Sequence, residues 1–167
     1  KLKSLKVSSN PISTLHPSVV HKLTSADGRT LRLEDMQLSS IPIGSGKYLG
    51  LEYLFLCNNF LDDLPDNIGD MTNLKVIHAC HNQITTLPPE IANLTKLQDF
   101  DLDHNWLASV PPEIGSLSVL KLLDLGYNDL TILPPEFGGL TSLTYLQLNN
   151  NNLWSLPDQE TVFLIDT

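Results

Sequence analysis

Residues 74–142 read LKVIHACHNQITTLPPEIANLTK, LQDFDLDHNWLASVPPEIGSLSV and LKLLDLGYNDLTILPPEFGGLTS, three consecutive segments of 23 residues that align without a gap. The same frame extends in both directions and gives about seven copies, which begin at residues 2, 28, 51, 74, 97, 120 and 143. The first copy is three residues longer than the others, and the second fits the pattern weakly. A fixed period of this length is typical of stacked structural repeats, so we interpret residues 1–167 as a single repeat domain.

The shared pattern is L-x-x-L-x-L-x-x-N-x-L-x-x-L-P-x-x-I-x-x-L-x-x, and it predicts a strand, a turn and a return segment. Its central L-x-L, as at Leu123 and Leu125, has the alternation of a strand that buries one side. Leu133, Phe137 and Leu140 then follow the spacing of one face of a short helix or 3-10 turn. Because each copy repeats this order, the strands stack in parallel around one core. The predicted fold is an α/β solenoid, with a curved parallel β-sheet on the concave face and short helical or 3-10 segments on the convex face.

Position nine of the repeat is a polar position, usually Asn, inside an otherwise apolar pattern. A buried amide is tolerated only when its donors and acceptor are paired, and stacked turns offer main-chain partners above and below it. We therefore predict an Asn ladder, interrupted by Met36 in the second copy. Its members are Asn10, Asn59, Asn82, Asn105, Asn128 and Asn151.

Composition limits the classes of partner. The 167 residues are 41% hydrophobic, which suffices for a core without a disulfide framework or structural metal. The formal net charge of −9 argues against nucleic-acid binding, which needs an excess of Lys and Arg. The sequence contains no apolar run of about 18 residues, and we expect no membrane contact. With only Cys57 and Cys80 present, we expect a reducing compartment and a cytoplasmic location. Since the chain starts at Lys1, we also expect a fragment of a longer protein.

The 23-residue unit with N-x-L-x-x-L-P-x-x-I-x-x-L resembles the leucine-rich repeats of the Ras-group type over essentially the whole chain. Such repeats occur in intracellular scaffolds, plant intracellular Ras-group proteins, adenylyl cyclases and Roco GTPase-kinases. Plant extracellular repeats carry L-x-G-x-I-P instead, and Thr131 stands here where that Gly would be. The resemblance implies protein–protein recognition, often as one module of a larger signalling chain, and it assigns no catalytic residue or cofactor.

Positions three, five, seven and eight of each copy should point away from the core, and we call them together the concave face. They vary between copies, so we place partner binding there, with Trp106 of position ten at the edge. The candidate binding residues are Tyr53, Phe55, His78, His81, Asp99, Asp101, Asp103, His104, Trp106, Asp124, Tyr127 and Tyr145.

Four of these residues form what we call the acidic cluster: Asp99, Asp101, Asp103 and Asp124. The first three share one strand face, and Asp124 should lie beside Asp101 at about 4.8 Å. Like charges at that separation repel and do not serve stability, which favours a site for a basic segment of a partner. The simpler alternative is a solvated acidic face without a partner. Arg32, together with Lys6, makes the N-terminal end of the face basic.

A metal site would be a second use of this face. The zinc-ligand types His78, Cys80, His81, Asp101, Asp103 and His104 fall on two adjacent strands. Side chains standing on a shallow sheet run mostly parallel, however, and four ligands must converge on one ion. We therefore predict no metal, while the sequence leaves open whether His78, Cys80, His81 and Asp101 bind one. For the same geometric reason we expect Cys57 and Cys80 to be free thiols.

The sequence thus predicts a module that binds a protein or peptide, with a basic segment, through its concave face. It shows no nucleophile-elbow, phosphate-loop or metalloprotease motif, and we expect no enzyme activity. The alternative is a structural spacer or an end-to-end self-association segment, since a solenoid exposes core at uncapped ends. At the C-terminal end, Glu160 stands where Ile or Phe is expected, and the apolar residues 162–165 follow.

Overall fold

The computed structural model describes residues 24–41 and 48–156. Six strands of three residues form one sheet in chain order, and each pairs in parallel with the next. They are β1 (Thr30–Arg32), β2 (Tyr53–Phe55), β3 (Val76–His78), β4 (Asp99–Asp101), β5 (Leu122–Asp124) and β6 (Tyr145–Gln147). The predicted α/β repeat solenoid with a parallel sheet is confirmed.

The register of the sheet follows the repeat. Leu54 of β2 pairs with Ile77 of β3, which pairs with Phe100 of β4, so each residue faces its counterpart 23 positions later. These central residues are fully buried, whereas their neighbours on either side are partly exposed. Because side chains alternate along each strand, positions three and five lie on the concave face of the sheet, away from the core, as predicted.

The return segments are 3-10 helices of five residues. They are η1 (Asp66–Asp70), η2 (Pro89–Asn93), η3 (Pro112–Ser116) and η4 (Pro135–Gly139). The last three begin at the second Pro of the Pro-Pro pair, where a missing N–H costs no helix hydrogen bond. In η2 the Ile91 N–H donates to Pro88 O at 3.1 Å, and the Leu94 N–H donates to Ile91 O at 3.0 Å. These hydrogen bonds join residues three apart, as in a 3-10 helix, and the segment is too short to form an α-helix.

Consecutive return segments approach each other closely. A Cβ placed on Gly115 would lie 2.2 Å from the main-chain oxygen of Glu136 in the next repeat. A main-chain atom cannot move away cheaply, so the absence of a side chain at Gly115 sets the spacing of η3 and η4.

The Asn ladder is confirmed for the described residues. Asn59, Asn82, Asn105 and Asn128 are buried, and the part-buried Asn151 continues the series. Each amide oxygen accepts a main-chain N–H from the preceding repeat, and each amide nitrogen donates to carbonyls of that repeat and its own. In the second copy, Met36 is buried in the ladder position and its N–H donates to Asn59 Oδ1 at 3.1 Å.

Position eight has an unusual backbone. Asp35, Asn58, His81, His104, Tyr127 and Asn150 all have a left-handed conformation, with φ between 49° and 61°. The N–H of His81 donates to Asp103 O at 2.9 Å, and that of His104 donates to Gly126 O at 3.1 Å. The conformation turns the chain from the strand toward the buried Asn, and these hydrogen bonds fix it to the next repeat.

The buried Leu, Ile, Val, Met and Phe side chains form one continuous core from Leu31 to Leu140. The predicted first copy with Asn10 and Lys6, and the segment with Glu160 and residues 162–165, lie outside the described residues. In the described part of the chain, no helix is both long enough and apolar enough to cross a membrane.

Candidate binding face

The first cluster on the concave face runs across positions three and five of β1 to β4. The Arg32 guanidinium lies 4.0 Å from the centre of the Phe55 ring, and it also pairs with Glu34 at 3.1 Å. Phe55 makes an edge contact with the His78 ring at 5.3 Å between centroids. His78 Nε2 in turn lies 3.3 Å from Asp99 Oδ1. A cation, two rings and a carboxylate are therefore in contact across four adjacent strands.

The second cluster is a stack of rings at position eight, which we call the ring stack: His81, His104 and Tyr127. The His81 and His104 centroids are 4.3 Å apart with planes inclined by 30°, and those of His104 and Tyr127 are 4.1 Å apart at 16°. All three side chains are exposed to solvent. Their spacing matches that of neighbouring strands, so the repeat itself brings the rings face to face.

The acidic cluster has the predicted register, with Asp101 of β4 directly paired with Asp124 of β5. Burial raises the pKa of both carboxyl groups above its ordinary value. The Asp103 N–H donates to Asp101 Oδ1 at 3.0 Å, and the Gly126 N–H donates to Asp124 Oδ1 at 2.9 Å. Each hydrogen bond lowers the pKa of its carboxyl and offsets part of that cost. Asp101 and Asp124 are consequently held in place although burial disfavours their ionised forms.

The expectation of free thiols is wrong. Cys57 and Cys80 form a disulfide, and their Cα atoms are 4.7 Å apart. Both residues occupy position seven, just after the strands, where the chain begins its left-handed turn. The orientation of regular parallel strands, on which the expectation rested, does not apply there, and the Cα separation lies within the range of disulfides.

The structure brings some of the candidate metal ligands close together. Among residues 24–41 and 48–156, two groups of three side chains have ligand atoms within 4.8 Å of one another. One comprises Cys57, Cys80 and Asp101, and the other His81, Asp103 and His104. Side chains of positions five, seven and eight leave a strand, its end and a left-handed turn, and their ligand atoms come within about one strand spacing of one another. His78 belongs to neither group.

The remaining candidates lie around these clusters. Trp106 is exposed at position ten, beyond the sheet, and Tyr145 is exposed on the last described strand. The Tyr145 hydroxyl donates to Gln147 Oε1, while Tyr53 is half-buried on β2. The structure therefore brings His78, Asp99 and Phe55 together, and separately His81, His104 and Tyr127. Trp106, Tyr53 and Tyr145 belong to neither cluster.

Contacts between side chains at equivalent positions of neighbouring repeats are not predicted by the sequence. The sequence predicts only that Arg32 makes one end of the face basic. It does not predict that the Arg32 guanidinium lies over the Phe55 ring. The signal was available, because aromatic and imidazole residues recur at intervals of 23 residues in positions five and eight. Rings at equal positions of neighbouring parallel strands are within stacking distance.

A repetitive buried core beneath a sheet with variable, ring-rich and charged side chains places this molecule among the repeat solenoids. The leucine-rich repeat family model matches residues 49–107 and 95–153, more than half of the chain, and a second leucine-rich repeat model matches residues 1–23. The chain belongs to the leucine-rich repeat family. Domains of this family generally mediate protein or peptide binding, and the fold is typically a scaffold without enzyme activity.

Solved structures support the assignment. A leucine-rich repeat protein of Leptospira interrogans is 35% identical, with a TM-score of 0.65, over 77% of this chain and 39% of its own. The plant peptide hormone receptor RGFR1, in complex with RGF2, is 33% identical with a TM-score of 0.68, over 75% of this chain and 21% of its own. The ectodomain of the Arabidopsis thaliana receptor kinase GASSHO1/SCHENGEN3, in complex with CASPARIAN STRIP INTEGRITY FACTOR 2, is 30% identical with a TM-score of 0.65. It matches 77% of this chain and 18% of its own.

The chain therefore spans well under half the length of these structural relatives. No curated protein sequence matches it significantly.

Proposed function

We propose that the concave face binds a protein or peptide segment, and that the acidic cluster receives basic side chains of that partner. The observation that carries the proposal is the direct pairing of Asp101 with Asp124, two carboxylates whose pKa is raised by burial. Like charges opposite each other destabilise a sheet. A Lys or Arg of a partner would offset that repulsion, so the arrangement favours binding of a cation over stability of the free protein.

The rings supply the second component of binding. Exposed aromatic side chains next to charged groups are the usual anchors of protein interfaces. Tyr127 ends the ring stack beside Asp124, and Phe55 lies on the other side of the acidic cluster beneath Arg32. A partner segment would therefore place basic residues over the cluster and apolar residues over the rings.

The dimensions of the sheet set the length of the segment. Five intervals between strands, each about 4.8 Å, give about 24 Å, the length of about seven extended residues. The plant relatives that are solved with peptide hormones support a peptide as partner, although those ligands belong to the relatives.

The test is an array of seven-residue peptides of graded charge, probed with the chain and two variants. The first variant replaces Asp99, Asp101, Asp103 and Asp124 with Asn, which keeps the oxygen acceptors. The control makes the same change of charge away from the concave face, with Asp62→Asn, Asp66→Asn, Asp70→Asn and Glu136→Gln, all exposed positions.

We expect Lys- and Arg-containing peptides to be retained by the chain and by the control, and retention to weaken with salt. The concave-face variant should lose that preference. Equal retention of basic and acidic peptides, or retention by the concave-face variant equal to the control, would refute the proposal.

We also propose, from the motif resemblance, that these repeats are of the Ras-group type and that the protein works in the cytoplasm. That location requires Cys57 and Cys80 to be reduced in the cell, because cytosolic thiol systems reduce most disulfides. Alkylation of cell lysates under acid quench, followed by mass spectrometry, measures the redox state directly. A quantitative disulfide in the native cell would contradict the cytoplasmic proposal.

End-to-end self-association is the second candidate function. At the end of the described region, Trp154 is 75% exposed and Leu156 is 58% exposed. Leu146 and Leu148 there are only partly buried, although their counterparts in the preceding repeats are fully buried. Sedimentation velocity at rising concentration tests this, with Trp154→Ser as the variant expected to abolish any oligomer. A single monomeric species over the whole range would exclude self-association.

A further inference from the structure

We propose that His81, Asp103 and His104 form a binding site for a Zn²⁺ ion on the concave face. The three side chains come from two adjacent repeats, and their ligand atoms all lie within 4.8 Å of one another. Two imidazoles and one carboxylate are ligands that Zn²⁺ accepts. The site shares Asp103 with the acidic cluster, but zinc binding needs no peptide or protein partner and is therefore tested separately from the proposed function.

The main chain at the site is fixed. His81 and His104 both have φ of 52°, and their N–H groups donate to carbonyls of the following repeat. The side chains of both are exposed, and the contacts that hold them are ring stacking and, for His104, the hydrogen bond with Asp103. Two ligands of one tetrahedral zinc, each about 2.1 Å from the ion, are about 3.4 Å apart. Rotation of the exposed side chains therefore suffices to close the site, without movement of the backbone.

Asp103 and His104 are already in contact, with Nδ1 of the ring 2.6 Å from Oδ2 of the carboxylate. Zinc would take the place of the proton between these atoms, which passes to solvent. The other oxygen, Asp103 Oδ1, is buried and has no hydrogen-bond partner among the described residues. Space for this carboxylate depends on Gly126, where a Cβ would lie 2.9 Å from Oδ1.

The electrostatic surroundings favour a cation. Asp101 and Asp124 flank Asp103 on the same face, and Arg32, the one Lys or Arg at concave-face positions among residues 24–41 and 48–156, lies on β1. A divalent ion would neutralise part of this charge. Three protein ligands leave a fourth position for water or for a ligand atom from a partner, as in zinc sites that are not purely structural.

The second group, Cys57, Cys80 and Asp101, is a weaker candidate because its sulfurs are joined in a disulfide. A disulfide provides no thiolate, and the thiolate is the form that binds zinc. The cysteines therefore serve as a control for the placement of the ion.

The test is isothermal titration of ZnCl₂ into the whole chain, after removal of metal with a chelator, at neutral pH and without reductant. We expect one equivalent of Zn²⁺ to bind. His81→Ala and His104→Ala should each weaken binding by at least about tenfold, as expected for loss of one of three ligands. His78→Ala, a change of the same type on the same face, should leave affinity within about twofold, and so should the double variant Cys57→Ser/Cys80→Ser.

Absence of stoichiometric zinc, or an equal loss in His78→Ala, would overturn the proposal. So would binding that survives both His81→Ala and His104→Ala but is lost in the double cysteine variant. A second measurement on the unaltered chain covers the case in which a variant misfolds. Paramagnetic Co²⁺ should broaden the ring NMR signals of His81 and His104 before that of His78, and zinc should reverse the effect.

Discussion

Replacement of Asn105 by Ala tests how the ladder stabilises the solenoid. Asn105 Oδ1 accepts the Ile84 N–H at 3.0 Å. Its amide nitrogen donates to the carbonyls of Ala79, Leu102 and Asp103 at 3.0, 2.9 and 3.3 Å. The side chain is only 4% exposed, so water cannot readily replace these partners.

The consequences for donors and acceptors are unequal. Each of the three carbonyls keeps a second donor, supplied by Asn82, Asn128 and the main chain of His81. The Ile84 N–H loses its acceptor and is left buried. One unsatisfied buried group costs about 1–3 kcal/mol, and the lost hydrogen bonds and small cavity add to it. We therefore expect Asn105→Ala to lower the free energy of unfolding by about 2–4 kcal/mol.

Asn105→Asp is the sharper comparison. It restores an acceptor for the Ile84 N–H but places a carboxylate oxygen against three carbonyl oxygens in a buried site. We expect it to be less stable than Asn105→Ala at pH 7, because an uncompensated buried charge costs more than one orphaned N–H.

The measurement is urea unfolding, followed by circular dichroism and tryptophan fluorescence, with the exposed Asn152→Ala as control. A loss below about 1 kcal/mol in Asn105→Ala, or greater stability of the Asp variant than of the Ala variant, would refute this account of the ladder.

Three further outcomes follow from the packing and charges. Burial raises the pKa of the Asp101 carboxyl, so the folded chain binds a proton on this group more tightly than the unfolded chain does. Above the folded-state pKa, the ionised carboxylate therefore lowers the stability of the folded chain. Asp101→Asn should therefore raise the free energy of unfolding at pH 7, measured by urea unfolding, by about 0.5–1 kcal/mol for relief of the pair with Asp124. The gain should vanish at acid pH, where the native carboxyl is also protonated. Reduction of the Cys57–Cys80 disulfide, which links residues 23 positions apart, should lower stability by about 3 kcal/mol, and a double Ser variant should not respond to dithiothreitol. Gly115→Ala should cost about 1–3 kcal/mol in thermal or urea unfolding, because its Cβ meets a main-chain oxygen of the next repeat, and unchanged stability would mean that the return segments can separate.

The sequence predicted the architecture because a fixed period determines it. Once Leu54, Ile77 and Phe100 stand 23 residues apart in equivalent frames, the parallel register, the buried centre of each strand and the Asn ladder follow without further information. The choice between a helix and a 3-10 turn stayed undecided in the sequence. The hydrogen bonds of η2, which join residues three apart, establish the 3-10 form.

The binding face was predicted as a set of columns, whereas the contacts within it were not. The Cys57–Cys80 disulfide and the convergence of His81, Asp103 and His104 depend on backbone angles just after the strands. Residue types give little warning there, since a residue such as Tyr127 rarely adopts the left-handed conformation. Regular strand geometry, extended two residues too far, led to the expectation of free thiols.

The left-handed turn at position eight has a consequence for protein engineering. Asn58 and Asn150 adopt it at little cost, but His81, His104 and Tyr127 adopt it at roughly 1–2 kcal/mol each. A consensus scaffold optimised for melting temperature would place Gly or Asn at all of these positions, and in doing so it would erase the ring stack. In this chain, three successive repeats carry a residue other than Gly or Asn at this exposed position, so a gain in melting temperature there would be made at the expense of the ring stack.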